Sequence, residues 1–353
     1  MSTDRRFASS IDRRAILRGG VAAGIALPFG IPSLVNAQDH GHGTPEDGYV
    51  GSDPSAPTTG NEEPRATEIT PFQRYDPFLE PVEPGPKTIE TVAADRALYV
   101  AKDVPFAAWT FDGTVPGNKI RARVGDEIDF TFRIEESAST AHSLDFHSAE
   151  GNPHENYNTI LPGEEFSWTF TPRHAGAYMY HCGTPPVLLH IGAGMYGAMI
   201  VDPEDGWPTE AQEIVLVQSD FYFEEEPNED GIHQHDYGKM LGGGMMDYVV
   251  FNGHATQYVD EPIKVKAGEP LRIFVVNAGP NVYSTFHVVG GIFDAGYFNA
   301  NPENKIVGLQ SMMVGPGDGI AVELTLKEPG VYPAVNHAFG HAAHGAIALL
   351  EAE

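Results

Sequence analysis

The segment 180–190 contains the only cysteine of this 353-residue chain, and it restricts the possible folds and functions more than any other stretch. His181 precedes Cys182, His190 follows eight residues later, and Met195 lies beyond it. A single cysteine cannot form an intramolecular disulfide, so its sulfur is either an inert buried atom or a group with metal or redox chemistry. One cysteine, two histidines and a weak axial methionine are the ligands of blue-copper electron-transfer sites. Three of these four ligands, Cys182, His190 and Met195, lie within residues 182–195.

A second histidine-containing segment, 140–147, can supply the fourth ligand. Alternate side chains of an extended strand point to opposite faces, so His142 and His147 face opposite ways. If Cys182 faces the interior of a barrel, one copper site is closed by four side chains: His142, Cys182, His190 and Met195.

The same alternation leaves Asp145, His147 and His181 together on the outer face. Two histidines and a carboxylate form half of a second metal site, which needs a further ligand from another domain or subunit. Because His181 and Cys182 are joined by one peptide bond, electrons would have a short path between the two metals.

Composition narrows the class of protein. The formal net charge of −28, from 49 acidic and 21 basic residues, argues against a nucleic-acid partner and favours a solvated acidic surface. The 39 glycines and 28 prolines, together with many short runs of β-branched and aromatic residues, predict an all-β fold. The length is sufficient for two domains.

The N-terminus, residues 1–37, has the features of a twin-arginine export signal. Arg13 and Arg14 precede a short apolar stretch, and small residues lead to a predicted cleavage site after Ala37. A membrane anchor is the alternative, but two prolines and several glycines interrupt the stretch. We therefore expect a periplasmic or extracytoplasmic protein with no membrane span in the mature chain.

Residues 38–86 predict a linker or disordered arm, because they are rich in Pro, Gly, Glu, Asp and Thr and lack apolar periodicity. The part nearest the folded region has enough apolar side chains to pack against it: Phe72, Tyr75, Phe78 and Leu79.

The remaining sequence repeats one order of motifs, which predicts two tandem Greek-key β-barrels, residues 87–203 and 204–353. Phe-Asp-Gly at 111–113 corresponds to Phe-Asn-Gly at 251–253, and Pro-Gly-Glu at 162–164 corresponds to Pro-Gly-Asp at 316–318. Ala338 stands at the position of Cys182, so the second barrel cannot hold a blue-copper site. His337 aligns with His181 and is the candidate for the missing outer ligand.

From about residue 88 to 350 the chain resembles the copper-containing nitrite reductases, which are two-domain cupredoxin proteins of the multicopper oxidase superfamily. Four motifs carry this resemblance: His-Ser-Leu-Asp-Phe-His at 142–147, Tyr-His-Cys at 180–182 with the following His and Met, His-Val-Val-Gly-Gly at 287–291 and Val-Asn-His at 335–337. The resemblance implies two tandem cupredoxin-like barrels and two coppers per chain.

The resemblance also implies roles for single residues. The type 1 copper ligands would be His142, Cys182, His190 and Met195. The type 2 ligands would be His147, His181 and, from a neighbouring subunit of a homotrimer, His337. Asp145 and the neighbour's His287 would be catalytic, and Val289 would cap the substrate pocket.

The implied reaction is the one-electron reduction of nitrite to nitric oxide, which consumes two protons and releases water in denitrification. A small c-type cytochrome or a blue-copper protein would donate the electron to the type 1 site, and the electron would cross from Cys182 to His181.

Two alternatives remain open at this level. A two-domain multicopper oxidase would reduce oxygen, but its trinuclear cluster needs paired His-x-His motifs, whereas Gly183 follows Cys182 here. A non-catalytic periplasmic electron carrier would need only the type 1 site. The three histidines of the type 2 site, taken alone, could also hold zinc instead of copper. Copper content distinguishes the three proteins, at about two per chain for a nitrite reductase, four for an oxidase and one for a carrier.

Several histidines fall outside the resemblance. His154, His341 and His344 are departures from the family pattern, and the last two are predicted to be surface or interface residues. The loop between Cys182 and His190 also looks one residue shorter than in the family. Four further histidines have no partner pattern and are predicted to lie on the surface: His174, His233, His235 and His254.

Overall fold

The computed structural model describes residues 63–353, and most of its regular structure is β-strand. The strands of the first half are β1 Lys87–Ala101, β2 Val104–Phe111, β3 Ile120–Arg123, β4 Ile128–Ile134, β5 Asp145–Phe146, β6 Glu165–Phe170, β7 Gly176–His181 and β8 Tyr196–Asp202. The predicted signal peptide and the first part of the predicted arm lie outside the described residues.

The strands of the second half are β9 Gln212–Phe221, β10 Tyr248–Phe251, β11 Ile263–Val265, β12 Pro270–Gly279, β13 Ser284–Val288, β14 Phe293–Phe298, β15 Lys305–Leu309, β16 Met312–Val314, β17 Asp318–Thr325, β18 Gly330–Asn336 and β19 Ile347–Ala352. Among the described residues, five short α-helices connect strands: α1 Pro153–Asn156, α2 Val187–Gly192, α3 Tyr237–Gly242, α4 Gln257–Asp260 and α5 Phe339–Ala343. In residues 63–353, no helix is both long enough and apolar enough to cross a bilayer.

The sheet topology confirms the predicted tandem repeat. The strand order β2-β1-β4-β6 of the first half recurs as β10-β9-β12-β17, and β3-β8-β7-β5 recurs as β11-β19-β18-β13. Strand directions agree as well, because β1–β4, β9–β12, β3–β8 and β11–β19 are all parallel pairs. The second half adds β14, β15 and β16 to this common plan.

Side-chain alternation explains how the strands of the first half build a core. In β4 the buried Ile128, Phe130 and Phe132 alternate with Asp129 and Thr131, which face outward. A strand with this period of two buries one face and exposes the other. The buried faces of these strands form one apolar cluster that also contains Cys182 and Met195.

Ion pairs between charged side chains with little exposure join the two halves. Arg121 of β3 contacts Asp202 at 2.8 Å and Glu213 at 2.6 Å. Glu213 also contacts Arg272, whose side chain is only 1% exposed. Arg272 Nε in turn donates to Glu323 at 2.9 Å. The Glu213 carboxylate thus contacts two guanidinium groups, that of Arg121 in the first half and that of Arg272 in the second.

The described part of the predicted arm, residues 63–86, runs along both halves. The Tyr75 hydroxyl donates to the Gly117 carbonyl at 3.0 Å, and the Tyr75 amide donates to Gln257 Oε1 at 2.9 Å. The Leu79 amide donates to the carbonyl of Glu213 at 3.1 Å. The aromatic part of the arm therefore packs on the barrels, as its composition predicts.

The prediction that four unassigned histidines lie on the surface is wrong for two of them. His174 is largely exposed, but His235 and His254 are only 5% and 7% exposed. His235 Nε2 donates to the carbonyl of Ala107 at 2.7 Å, because the segment after β9 folds back along β2. The sequence contains no local sign of this packing.

Burial of His235 predicts an acid-sensitive contribution to stability. Burial lowers the pKa of His235 from 6.5 to about 4, because the charged imidazolium is poorly solvated there. Between these two pH values the unfolded chain binds a proton that the folded chain does not, so stability falls as pH falls. The loss is about 3 kcal/mol across the window.

We expect His235→Gln, which keeps a donor for Ala107, to reduce the loss of unfolding free energy between pH 7 and pH 4.5. Urea denaturation at pH 7 and at pH 4.5 measures the unfolding free energy, with the exposed His174→Gln as the matched control. An equal loss in wild type and His235→Gln would show that other groups cause the acid sensitivity.

Candidate metal centres

Three buried side chains converge between the strands of the first half. His142 Nδ1 and His190 Nδ1 are 3.1 Å apart, and Cys182 Sγ lies 3.9 Å from the first and 3.3 Å from the second. All three side chains are fully buried. Atoms that bind one metal ion at about 2.0–2.3 Å are themselves about 3–4 Å apart, so this spacing fits a shared metal ion.

The chemistry of the three donors also fits a soft metal. Burial lowers the pKa of His142 well below its usual value and that of His190 to about 3, which keeps both imidazoles neutral. The two neutral nitrogens and the sulfur can all coordinate one cation that lies between them. Two histidines and one thiolate are the equatorial ligands of a blue-copper site.

The ligand segments are held together by Ser143 and by the loop after Cys182. The Ser143 amide donates to Cys182 Sγ at 3.5 Å, and the Ser143 hydroxyl accepts from the Gly183 amide at 3.0 Å. Burial raises the pKa of the Cys182 thiol, while hydrogen bonds from the amides of Ser143 and Thr184 act in the opposite direction. At the end of the loop, the Met195 amide donates to the His190 carbonyl at 3.1 Å, and Met195 is fully buried in the same core.

A second cluster lies on the other side of β7. His147 Nε2 and His181 Nε2 are 3.0 Å apart, and Asp145 Oδ2 lies 3.9 Å from His181 Nε2. Asp145 pairs with His181 across β5 and β7, which places the carboxylate beside the imidazole. His181 and Cys182 thus point to opposite sides, so the predicted division into inner and outer groups is found in the structure.

Backbone carbonyls fix the tautomers of the outer histidines. His147 Nδ1 donates to the carbonyl of Gly317 at 3.1 Å, and His181 Nδ1 donates to that of Cys182 at 2.8 Å. Because a carbonyl can only accept, the protons lie on Nδ1 and both Nε2 atoms are free to bind metal. Gly317 belongs to the second half and has a positive φ of 80°, which favours glycine at this turn.

His287 and His337 form a separate pair in the second half. Their ring centroids are 5.5 Å apart, and together with Thr285, Gln310 and Ser311 they line a surface pocket. His287 Nδ1 donates to the carbonyl of Gln310, which leaves Nε2 free. Among the described residues, neither side chain belongs to the cluster of Asp145, His147 and His181.

Sequence reasoning missed three residues around these clusters. Gly317 orients His147 through a backbone atom, and such a contact has no residue-type signature. The Tyr157 hydroxyl donates to the carbonyl of Ala149 at 3.3 Å, and burial followed by the nearby Asp145 carboxylate raises the Tyr157 pKa. Trp109 packs its ring against two of the converging histidines.

The three histidines outside the family pattern lie in short helices or at their ends. His154 lies in α1, next to the segment that carries Tyr157. His341 lies in α5, and its Nδ1 is 3.1 Å from Asn336 Nδ2. His344 is exposed, and its Nδ1 donates to the carbonyl of Asp247 at 2.9 Å. The predicted surface position of His344 is therefore correct.

Comparison with known proteins agrees with this geometry. Residues 94–206 match a family model described as multicopper oxidase. A solved copper nitrite reductase from Nitrosomonas europaea is 36% identical, covers 76% of this chain and 94% of its own, and has a TM-score of 0.71. A solved Cu-containing nitrite reductase from Thermus scotoductus is 30% identical, covers 76% of this chain and 62% of its own, and has a TM-score of 0.67.

Sequence similarity supports the same grouping. The copper-containing nitrite reductase of Neisseria meningitidis is 35% identical over 282 residues, which are 78% of this chain and 72% of the relative. The repeated barrels and the buried His-Cys-His cluster define a copper protein of the cupredoxin type. Within this class, the chain belongs to the copper-containing nitrite reductases.

Proposed function

We propose that this protein reduces nitrite to nitric oxide, a one-electron reaction that consumes two protons and releases one water. The observation that carries the proposal is the adjacency of His181 and Cys182. One residue of this pair belongs to the buried cluster and the other to the outer cluster. The peptide bond and the 2.8 Å hydrogen bond from His181 Nδ1 to the Cys182 carbonyl connect the two centres.

We assign the buried cluster as the type 1 site, with the ligands His142, Cys182, His190 and Met195. The outer cluster is the type 2 site, with His147 and His181 from one subunit and His337 from its neighbour. When bound, copper supplies a one-electron centre at each site and a Lewis acid for nitrite at the second.

Asp145 would donate a proton to a nitrite oxygen. Its carboxylate lies beside the Nε2 atom of His181, and 30% of its side chain is exposed, so it can be reprotonated from solvent. His287 of the neighbouring subunit would hold a water through its free Nε2 and supply the second proton. General acid catalysis of this kind contributes about 100- to 10,000-fold.

The incomplete outer cluster and the exposed His337 support a homotrimer with active sites between subunits. Large apolar side chains around the His287–His337 pocket are also exposed, and we expect the subunit contact to bury them. These are Val289 at 41%, Phe339 at 60% and Met313 at 61%. Val289 directly follows β13, which carries His287, so it is also suitably placed to cap the substrate pocket.

Further assignments follow from the sequence. We propose export by the twin-arginine route, cleavage after Ala37 and a periplasmic role in denitrification. A small c-type cytochrome or blue-copper protein would deliver the electron. We place the domain boundaries at 1–37, 38–86, 87–203 and 204–353.

The reaction is tested by measuring nitric oxide from nitrite with an artificial reductant, together with copper content on the same sample. We expect nitric oxide and about two coppers per chain. About four coppers with oxygen consumption would support a multicopper oxidase instead, and one copper without nitric oxide would support a carrier.

We expect Asp145→Asn to keep both coppers and to lower turnover by about 100-fold or more, because it removes the proton donor. Nitric oxide formation under saturating reductant measures this, and the exposed Asp205→Asn is the matched control. Wild-type turnover in Asp145→Asn would exclude the carboxylate from the mechanism.

Because the proposed type 2 site takes ligands from two subunits, two inactive variants should regain activity when their subunits are mixed. A trimer that mixes His147→Ala and His337→Ala subunits contains some sites with every ligand intact. Random mixing should restore about a quarter of wild-type activity. Each variant alone should stay inactive but keep its type 1 visible spectrum. Failure of the mixed trimers to regain activity would place all type 2 ligands in one chain.

A further inference from the structure

Trp109 lies against both histidines of the buried cluster. Its ring centroid is 4.5 Å from that of His190, with an interplanar angle of 31°, and 5.4 Å from that of His142, with an angle of 68°. The side chain is fully buried in β2. Within residues 63–353, Trp109 is the one ring that contacts both of these imidazoles apart from the imidazoles themselves.

The indole is held in place by groups that do not depend on a metal. Its Nε1–H donates to Ser139 Oγ at 2.8 Å, and the Ser139 amide donates to Asp95 Oδ1 at 3.2 Å. The Trp109 amide donates to the carbonyl of Ala193, in the loop between His190 and Met195, at 3.2 Å. Trp109 is therefore anchored to Asp95 of β1 through Ser139, and to the ligand loop through Ala193.

The two pairs of histidines differ in what orients them. Metal-binding histidines almost always donate their other N–H to a carbonyl, carboxylate or water, and this bond fixes the ring. His147 and His181 make such bonds. The Nε2 atoms of His142 and His190 are buried and have no hydrogen-bond partner among the described protein atoms. Packing must therefore fix the planes of these two rings.

We propose that Trp109 is the positioning residue of the buried centre, where its ring takes the place of the absent hydrogen bonds to His142 and His190. The inference rests on the type 1 ligand set proposed above. By fixing the imidazole planes, the indole directs both Nδ1 atoms toward Cys182 Sγ. By filling the space beside the ligands, it also excludes water, and the apolar surroundings of a copper–thiolate site set its reduction potential.

The variant Trp109→Phe tests this role. The smaller ring loses the bond to Ser139 and leaves room for water, which favours the more highly charged oxidised state. We expect a lower type 1 reduction potential and a changed visible and electron paramagnetic resonance spectrum, with copper content unchanged. Redox titration of the copper-loaded protein, followed by its visible absorption, measures the shift.

Trp207→Phe is the matched control. Trp207 also donates its Nε1–H, to Asp202 at 3.0 Å, but it packs on Phe274 and Tyr297 away from the copper ligands. We expect this variant to keep the wild-type potential and spectrum. A Trp109→Phe protein whose potential and spectrum match those of Trp207→Phe would overturn the inference.

Ser139→Ala provides the second variant if Trp109→Phe does not fold. It keeps the indole but frees its Nε1–H, so we expect a smaller change of the same spectra. Unchanged spectra in Ser139→Ala would then count against the proposal. A wild-type protein that binds copper without a blue absorption band would instead refute the type 1 ligand set itself, so the two failures are distinguishable.

Discussion

The alternation of side chains along one strand is the constraint on which this molecule depends. At the end of β7, His181 and Cys182 must point to opposite faces, so one residue enters the apolar core and the other faces outward. The core side is dry, and it suits a thiolate centre whose potential depends on the exclusion of water. The outer side is open to substrate and protons. Two chemically different sites are thus linked by a single peptide bond.

The sequence was sufficient to predict this division, because the period of a strand is a local property. It was also sufficient to predict the duplicated barrels, since turn motifs recur in the same order in both halves. The sheet orders of the two halves then agree strand by strand. The second half lacks the cysteine, yet it contributes the Gly317 carbonyl that orients His147. The second half therefore serves the outer cluster through its backbone.

The features that the sequence could not predict depend on contacts between distant segments. Trp109 lies 33 positions before His142, and only the packing of β2 against the ligand loop brings the two rings together. The burial of His235 likewise requires the segment after β9 to fold back along β2. Backbone partners such as Gly317 cannot be read from residue types, because every residue carries a carbonyl.

The shared carboxylate of Glu213 has a consequence for the behaviour of the protein in salt. The chain carries a formal charge of −28, and repulsion between its exposed carboxylates weakens as ionic strength rises. The side chains that join the two halves are only 1–12% exposed, so mobile ions reach them poorly. Salt should therefore change how copies of the protein repel one another far more than how its two barrels hold together. The strength of the ion pairs between the barrels should therefore depend little on ionic strength.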